Sequence, residues 1–151
     1  MKRKFFVLSC LVLLCTMLLP AVCFADYGTT MPLGAKGSSN TIVYIKRPES
    51  HSASTSDQTY TISAVGPQGT KIKLYQYSPA EGTCKLIKNE ISIGASGLYS
   101  TVVSLNGDQN IFLVYAKNWN GDQVTRIDIS KIKKSTVDRL KSVTVTMKNF
   151  I

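Results

Sequence analysis

Leu98-Tyr99-Ser100-Thr101-Val102-Val103-Ser104-Leu105, then Asn106-Gly107-Asp108-Gln109, then Asn110-Ile111-Phe112-Leu113-Val114-Tyr115-Ala116-Lys117, closing in Asn118-Trp119-Asn120-Gly121-Asp122, is the stretch from which the fold is read. Tyr99, Thr101, Val103 and Leu105 share one face, as in a strand whose side chains alternate with a two-residue period. Asn106-Gly107 is a hairpin signal, because both residues accept the positive φ that tight hairpin turns demand. Ile111 to Ala116 is apolar on both parities, so this strand should be covered on both faces. Asn120-Gly121 then turns the chain into a further strand, Gln123 to Ser130.

Working towards the amino terminus, the same grammar repeats. Gln58 to Val65 alternates Tyr60, Ile62 and Ala64 with Thr59, Thr61 and Ser63; Gly66-Pro67-Gln68-Gly69 is a turn. Thr70 to Tyr77 places Ile72 and Leu74 opposite Lys71, Lys73, Tyr75 and Tyr77, and Ser78-Pro79-Ala80-Glu81-Gly82 breaks the chain again. Cys84 to Lys88 and Glu90 to Ile93 read as two short strands, Gly94 to Gly97 as a turn, and Thr41 to Lys46 as the first β-branched run. Glu49 to Asp57 is too polar to supply a core strand. About seven strands with turns every eight to twelve residues predict an all-β antiparallel sandwich or barrel over 41–130. Beyond it, 131–151 is a packing segment. Ser135-Thr136-Val137-Asp138 has the spacing of a capping box and predicts a short helix to about Lys141, and Ser142 to Met147 alternates like an extra strand.

The first 25 residues are of another kind. Lys2-Arg3-Lys4 is followed by an almost unbroken apolar run to Phe24, with Cys23 and Ala25 at the small-residue positions before Asp26. This is the pattern of a signal peptide cleaved after Ala25, and it predicts an extracellular or cell-envelope location. Left uncleaved, the same run could span a bilayer and anchor the protein to the membrane. Residues 26–40, rich in Gly and Ser and without periodicity, read as a flexible lead-in.

Removing the leader takes Lys2, Arg3 and Lys4 from the 18 basic residues and none of the nine acidic ones, leaving a net charge of +6 on residues 26–151. Such a surface favours anionic polymers of the envelope, while export argues against nucleic acid. Cys84 alone remains of the four cysteines, so no disulfide can form within the exported chain. His51 is the only histidine, which excludes a multi-histidine metal site, and no Gly-x-Ser-x-Gly, phosphate loop or Cys-x-x-Cys occurs. No cofactor is expected. Asn106-Gly107-Asp108-Gln109 recurs as Asn120-Gly121-Asp122-Gln123, each too poor in oxygen ligands for calcium and both readable as hairpin turns. Glu81, Glu90, Asp108 and Asp122 are the carboxylates from which a glycoside-hydrolysing pair could be drawn.

Ser63-Ala64-Val65-Gly66-Pro67-Gln68-Gly69-Thr70-Lys71-Ile72, Gly97-Leu98-Tyr99, Val103-Ser104-Leu105, the strand from Asn110 and the Asn118 to Asp122 turn together resemble the bacterial immunoglobulin-like modules of cell-surface and secreted proteins, such as the glucodextranase-type B domain. The likeness runs over Thr41 to Ser130 in spaced single residues. It departs at Asp108, where a Gly is usual, and at Asn118 and Asp122, which exchange the usual Asp and Asn. The resemblance implies an immunoglobulin-like sandwich in which Phe112, Val114 and Ala116 face inward, with Ile111, Leu113 and Tyr115 outward beside the Lys71 strand.

Lys71, Lys73, Tyr75, Tyr77 and Tyr115 then form a basic and aromatic stripe on the outer face of one sheet, with Trp119 at a turn tip. These six are the candidate ligand-binding residues. Tyrosine and tryptophan faces stack on sugars, and lysines hold anionic groups. Either a partner or the carboxy-terminal segment, through Val137, Leu140, Val143, Val145, Met147, Phe150 and Ile151, should cover this face. The expected function is a non-catalytic binding module contacting an envelope polymer, glycan or extracellular protein. The alternatives are an accessory subunit or small extracellular carbohydrate-active hydrolase, and a structural subunit that self-associates by strand addition.

Overall fold

Alternation of β-branched and polar residues yields nine strands in the computed structural model, which describes residues 27–39, 41–133 and 135–139. In chain order they are β1 (Thr30–Met31), β2 (Tyr44–Arg47), β3 (Ser52–Thr55), β4 (Thr59–Val65), β5 (Lys71–Ser78), β6 (Thr83–Ser92), β7 (Leu98–Ser104), β8 (Gln109–Asn118) and β9 (Gly121–Lys131). A short helix at 135–139 follows. Six strands form one sheet in the order β1-β6-β5-β8-β9-β3, and three form the other in the order β2-β4-β7. All pairings are antiparallel except β3 with β9. The protein is an all-β sandwich with a short helix.

The inward parities meet in one core. Ile62 and Ala64 from β4 and Tyr99 and Val103 from β7 pack against Ile72 and Leu74 of β5, Phe112, Val114 and Ala116 of β8, and Ile127 and Ile129 of β9. Burying each large aliphatic side chain stabilises the fold by about 1.5–3 kcal/mol, and with no disulfide among the described residues such packing must hold the sandwich together. The inward parity expected for β4, β5, β7 and β8 is the observed one.

Three local expectations need correction, and one stands. The one that stands is the polar stretch 49–57: it supplies no core strand, only the four-residue edge strand β3, where one-sided pairing tolerates polar side chains. The two short runs around Cys84 and Glu90 are one ten-residue strand, β6, whose pairing with β5 shifts between Ile72 and Tyr75. Asn106-Gly107 does not close a hairpin, because β7 and β8 lie in different sheets. The loop is held instead by buried Asn110: its Oδ1 accepts from the amides of Asn106 (3.0 Å) and Gly107 (3.4 Å), and its Nδ2 donates to the Gly107 carbonyl (2.7 Å).

The largest correction concerns 26–40. Residues 27–39, expected to be a flexible lead-in, form a strap across the outer face of the six-stranded sheet. Its β1 pairs with β6 at Thr30↔Lys85 and Met31↔Cys84, and Met31 is fully buried. The leader 1–25 and the expected strand at Ser142 to Met147 lie outside the described residues.

Candidate functional site

Antiparallel pairing of β5 with β8 sets Lys71 opposite Lys117, Lys73 opposite Tyr115 and Tyr75 opposite Leu113. The predicted stripe is therefore assembled on one face, as the alternation requires. It is not an open face. Tyr75 and Tyr115 are 0% and 1% exposed, packed with Met31, Cys84 and Leu113, and Tyr27, Leu33 and Ala35 of the strap close over them. The Tyr27 ring meets Tyr115 edge-on, with centroids 5.5 Å apart. The Tyr75 hydroxyl lies near the Tyr27 (2.8 Å) and Gly28 (2.9 Å) carbonyls, and Lys73 Nζ donates to the Tyr27 carbonyl at 3.2 Å. Three of the six candidates thus hold the strap.

The strap's far end is fixed by the start of β9. The Ser38 hydroxyl donates to Asp122 Oδ1 (2.7 Å) and the Ser39 amide to the Asp122 carbonyl (2.9 Å). The Asp122 amide in turn donates to Ser38 Oγ (3.0 Å). Gly37 lies so close to β9 that a Cβ there would stand 2.4 Å from the Asp122 carbonyl oxygen. Next along the chain, buried Gln123 accepts from the Ile42 and Val43 amides through Oε1 (2.7 and 2.9 Å) and donates to the Val43 carbonyl through Nε2 (3.0 Å). The Asn-Gly-Asp-Gln echo therefore has two unlike outcomes: Asp108 is exposed, and Asp122 is a buried clamp.

The remaining candidates separate towards the two ends of β5. Tyr77 lines a cleft of about 390 Å³ at the β5 end with Gln76, Lys85, Ile87, Asn106 and Asn110. Lys71 and Trp119 come together at the other end, in an open cleft of about 320 Å³ completed by Gly69, Glu90, Lys117 and Asn118. Trp119 is 89% exposed. It occupies the two-residue tip between Asn118 and Gly121; Asn118 Oδ1 accepts from the Asn120 amide (2.8 Å), and Gly121 takes φ +137°, a region that favours glycine. In the same cleft, Lys71 Nζ and Glu90 Oε1 form an ion pair of 2.7 Å. An apolar ring, two lysines, an amide and a carboxylate can stack a flat ligand and hydrogen-bond its polar groups.

Glu90, Lys117 and Asn118 were not foreseen as parts of this cleft, although pairing the Lys71 strand with the Ile111 strand carries Lys117 and the Trp119 tip to Lys71. Three of the four carboxylates considered for hydrolysis have structural engagements, and the fourth, Asp108, is exposed: Glu81 Oε1 lies 2.5 Å from Lys85 Nζ, Glu90 pairs with Lys71, and Asp122 holds Ser38. His51 is exposed, at φ 58°, in the loop between β2 and β3. Among the described residues no three His, Cys, Asp or Glu side chains gather as a metal site. Cys84 is buried under the strap, and that burial pushes its thiol up against the weaker opposing pull of Arg126. Compared with models of known protein families and with curated proteins, the chain matches none.

Proposed function

We propose that the protein is an exported, non-catalytic binding module of the cell envelope or extracellular space, immunoglobulin-like in architecture, with its leader removed after Ala25. The contact is the Trp119 cleft, and its ligand an envelope glycan carrying anionic groups. One observation carries this reading: a tryptophan 89% exposed at a braced turn tip, lining one cleft with Lys71, Lys117 and the ion-paired Glu90. A large aromatic ring left in water is costly unless something stacks on it, and the surrounding positive charge favours an acidic polymer.

Co-sedimentation with purified envelope, before and after anionic polymers are stripped and across a salt series, tests it. Binding should fall with salt and with stripping, and Trp119→Ala should abolish it while leaving the melting temperature in place. Binding that survives Trp119→Ala unchanged would move the contact elsewhere and defeat the proposal.

A further inference from the structure

The two sheets have unequal edges. At one edge of the six-stranded sheet β6 is paired with the two-residue β1, and its remaining length carries Lys88 and Glu90 and an irregular register; at the other edge, β3 has only four residues. In the smaller sheet, β2 has four residues and a bulge, and the backbone just before it is bonded by Gln123. Short strands, charges and bulges are the devices that keep sheet edges from pairing with foreign strands. The remaining edge, β7, has none of them. It is seven residues long, pairs with β4 without interruption from Leu98 to Ser104, and contains no charge and no proline.

The backbone phase of that edge is readable. Leu105 donates its amide to Gln58, and Gly66 donates to the Gly97 carbonyl, so the odd-numbered residues of β7 bond to β4. The even ones, Leu98, Ser100, Val102 and Ser104, turn their amides and carbonyls outward. At the ends these are partly served, the Leu98 amide by Ser96 Oγ (3.3 Å) and the Ser104 carbonyl by Gln76 Nε2 (3.5 Å). The centre, Ser100 and Val102, has no such bond among the described residues. Leu98 and Val102 are 53% and 55% exposed on the outer face.

We propose that two copies of this chain join edge to edge through β7, antiparallel about a twofold axis at Thr101. That register sets Leu98 opposite Ser104 and Ser100 opposite Val102 as hydrogen-bonded pairs, with Tyr99 opposite Val103 and Thr101 opposite itself. Every outward backbone group then has a partner, and aromatic with β-branched and Thr with Thr are favourable cross-strand neighbours. Charge selects the occupant. The chain is strongly basic, yet β4 and β7 carry no charged side chain, so this is where two like-charged copies can meet without opposing lysines. An acidic partner would find its complement on the lysine-bearing larger sheet instead. The two three-stranded sheets become one continuous sheet of the dimer, with the Trp119 clefts left open on the larger sheets.

Sedimentation velocity of the exported full chain over a wide concentration range, at low and high salt, tests this. The expected result is a monomer–dimer equilibrium that tightens as salt screens the repulsion between copies, the opposite salt response from ligand binding. Val102→Lys, at an exposed position, should weaken dimerisation by about tenfold or more by bringing like charges to the seam, with the melting temperature of the dilute monomer retained. Hydrogen exchange should show the Ser100 and Val102 amides protected only at concentrations where the dimer forms. A chain monomeric throughout, or a dimer indifferent to Val102→Lys, overturns the proposal. So does a monomer that dimerises only after residues 140–151 are removed, which would give the edge to the chain's own end.

Discussion

Tyr75 on the stripe and Trp119 at its turn tip were both candidate ligand contacts by their sequence, and their surroundings give them opposite roles. Tyr75 is buried, and its hydroxyl is served by strap carbonyls. Tyr75→Phe should therefore cost about 1–3 kcal/mol by removing the one hydroxyl hydrogen that the Tyr27 and Gly28 carbonyls share, with Lys73 left as the donor to Tyr27, and Tyr75→Ala about 3–5 kcal/mol, both read from denaturant melts. Trp119 is exposed, so Trp119→Ala should change stability by less than about 0.5 kcal/mol while removing envelope binding. Equal losses of stability at the two positions would refute this division. What separates the two is a third element laid over one of them, which no pattern within β5 or β8 reveals.

At the scale of elements, the strap shows both what was legible and what was not. The inward parities of β4, β5, β7 and β8 follow from alternation alone, since one face of each must be apolar to build a core. The apolar character of β8 on both faces announced a cover, but not which end of the chain supplies it. Met31, Leu33 and Ala35 do alternate, a faint period-two signal submerged by glycines and serines, and the deciding contacts, Ser38 with Asp122 and Gly37 against β9, span more than 80 residues of sequence. Long-range docking of this kind has no local signature. The Trp119 cleft is similar: its residues are individually visible, while their meeting depends on the β5–β8 register. The strap's closeness yields a direct test. Gly37→Ala forces a methyl group against the Asp122 backbone, which should cost about 1–3 kcal/mol and open Cys84 to thiol reagents in the native state; a Cys84 that stays unreactive would mean that the strap accommodates the methyl.

At the scale of the whole fold, the described residues form in effect three layers, the smaller sheet, the larger sheet and the strap, and two buried acids lie in different parts of them. Cys84 sits between strap and larger sheet, and Tyr99 faces the core between the sheets; burial pushes both groups up from their ordinary values. The folded chain thus keeps protons that the unfolded chain releases once pH enters the ordinary thiol and then the phenol range. Fewer protons on the unfolded than on the folded state means that unfolding free energy falls as pH rises, so these contributions are intact below the ordinary thiol range and are lost progressively above it. Melting temperature should hold through neutral pH and decline in alkali. Cys84→Ala, even if less stable at every pH, should show a shallower decline at the onset, because the first group to titrate has been removed. An identical slope with and without the thiol would show that Cys84 keeps no proton that the unfolded chain gives up, and that the strap does not isolate it from water.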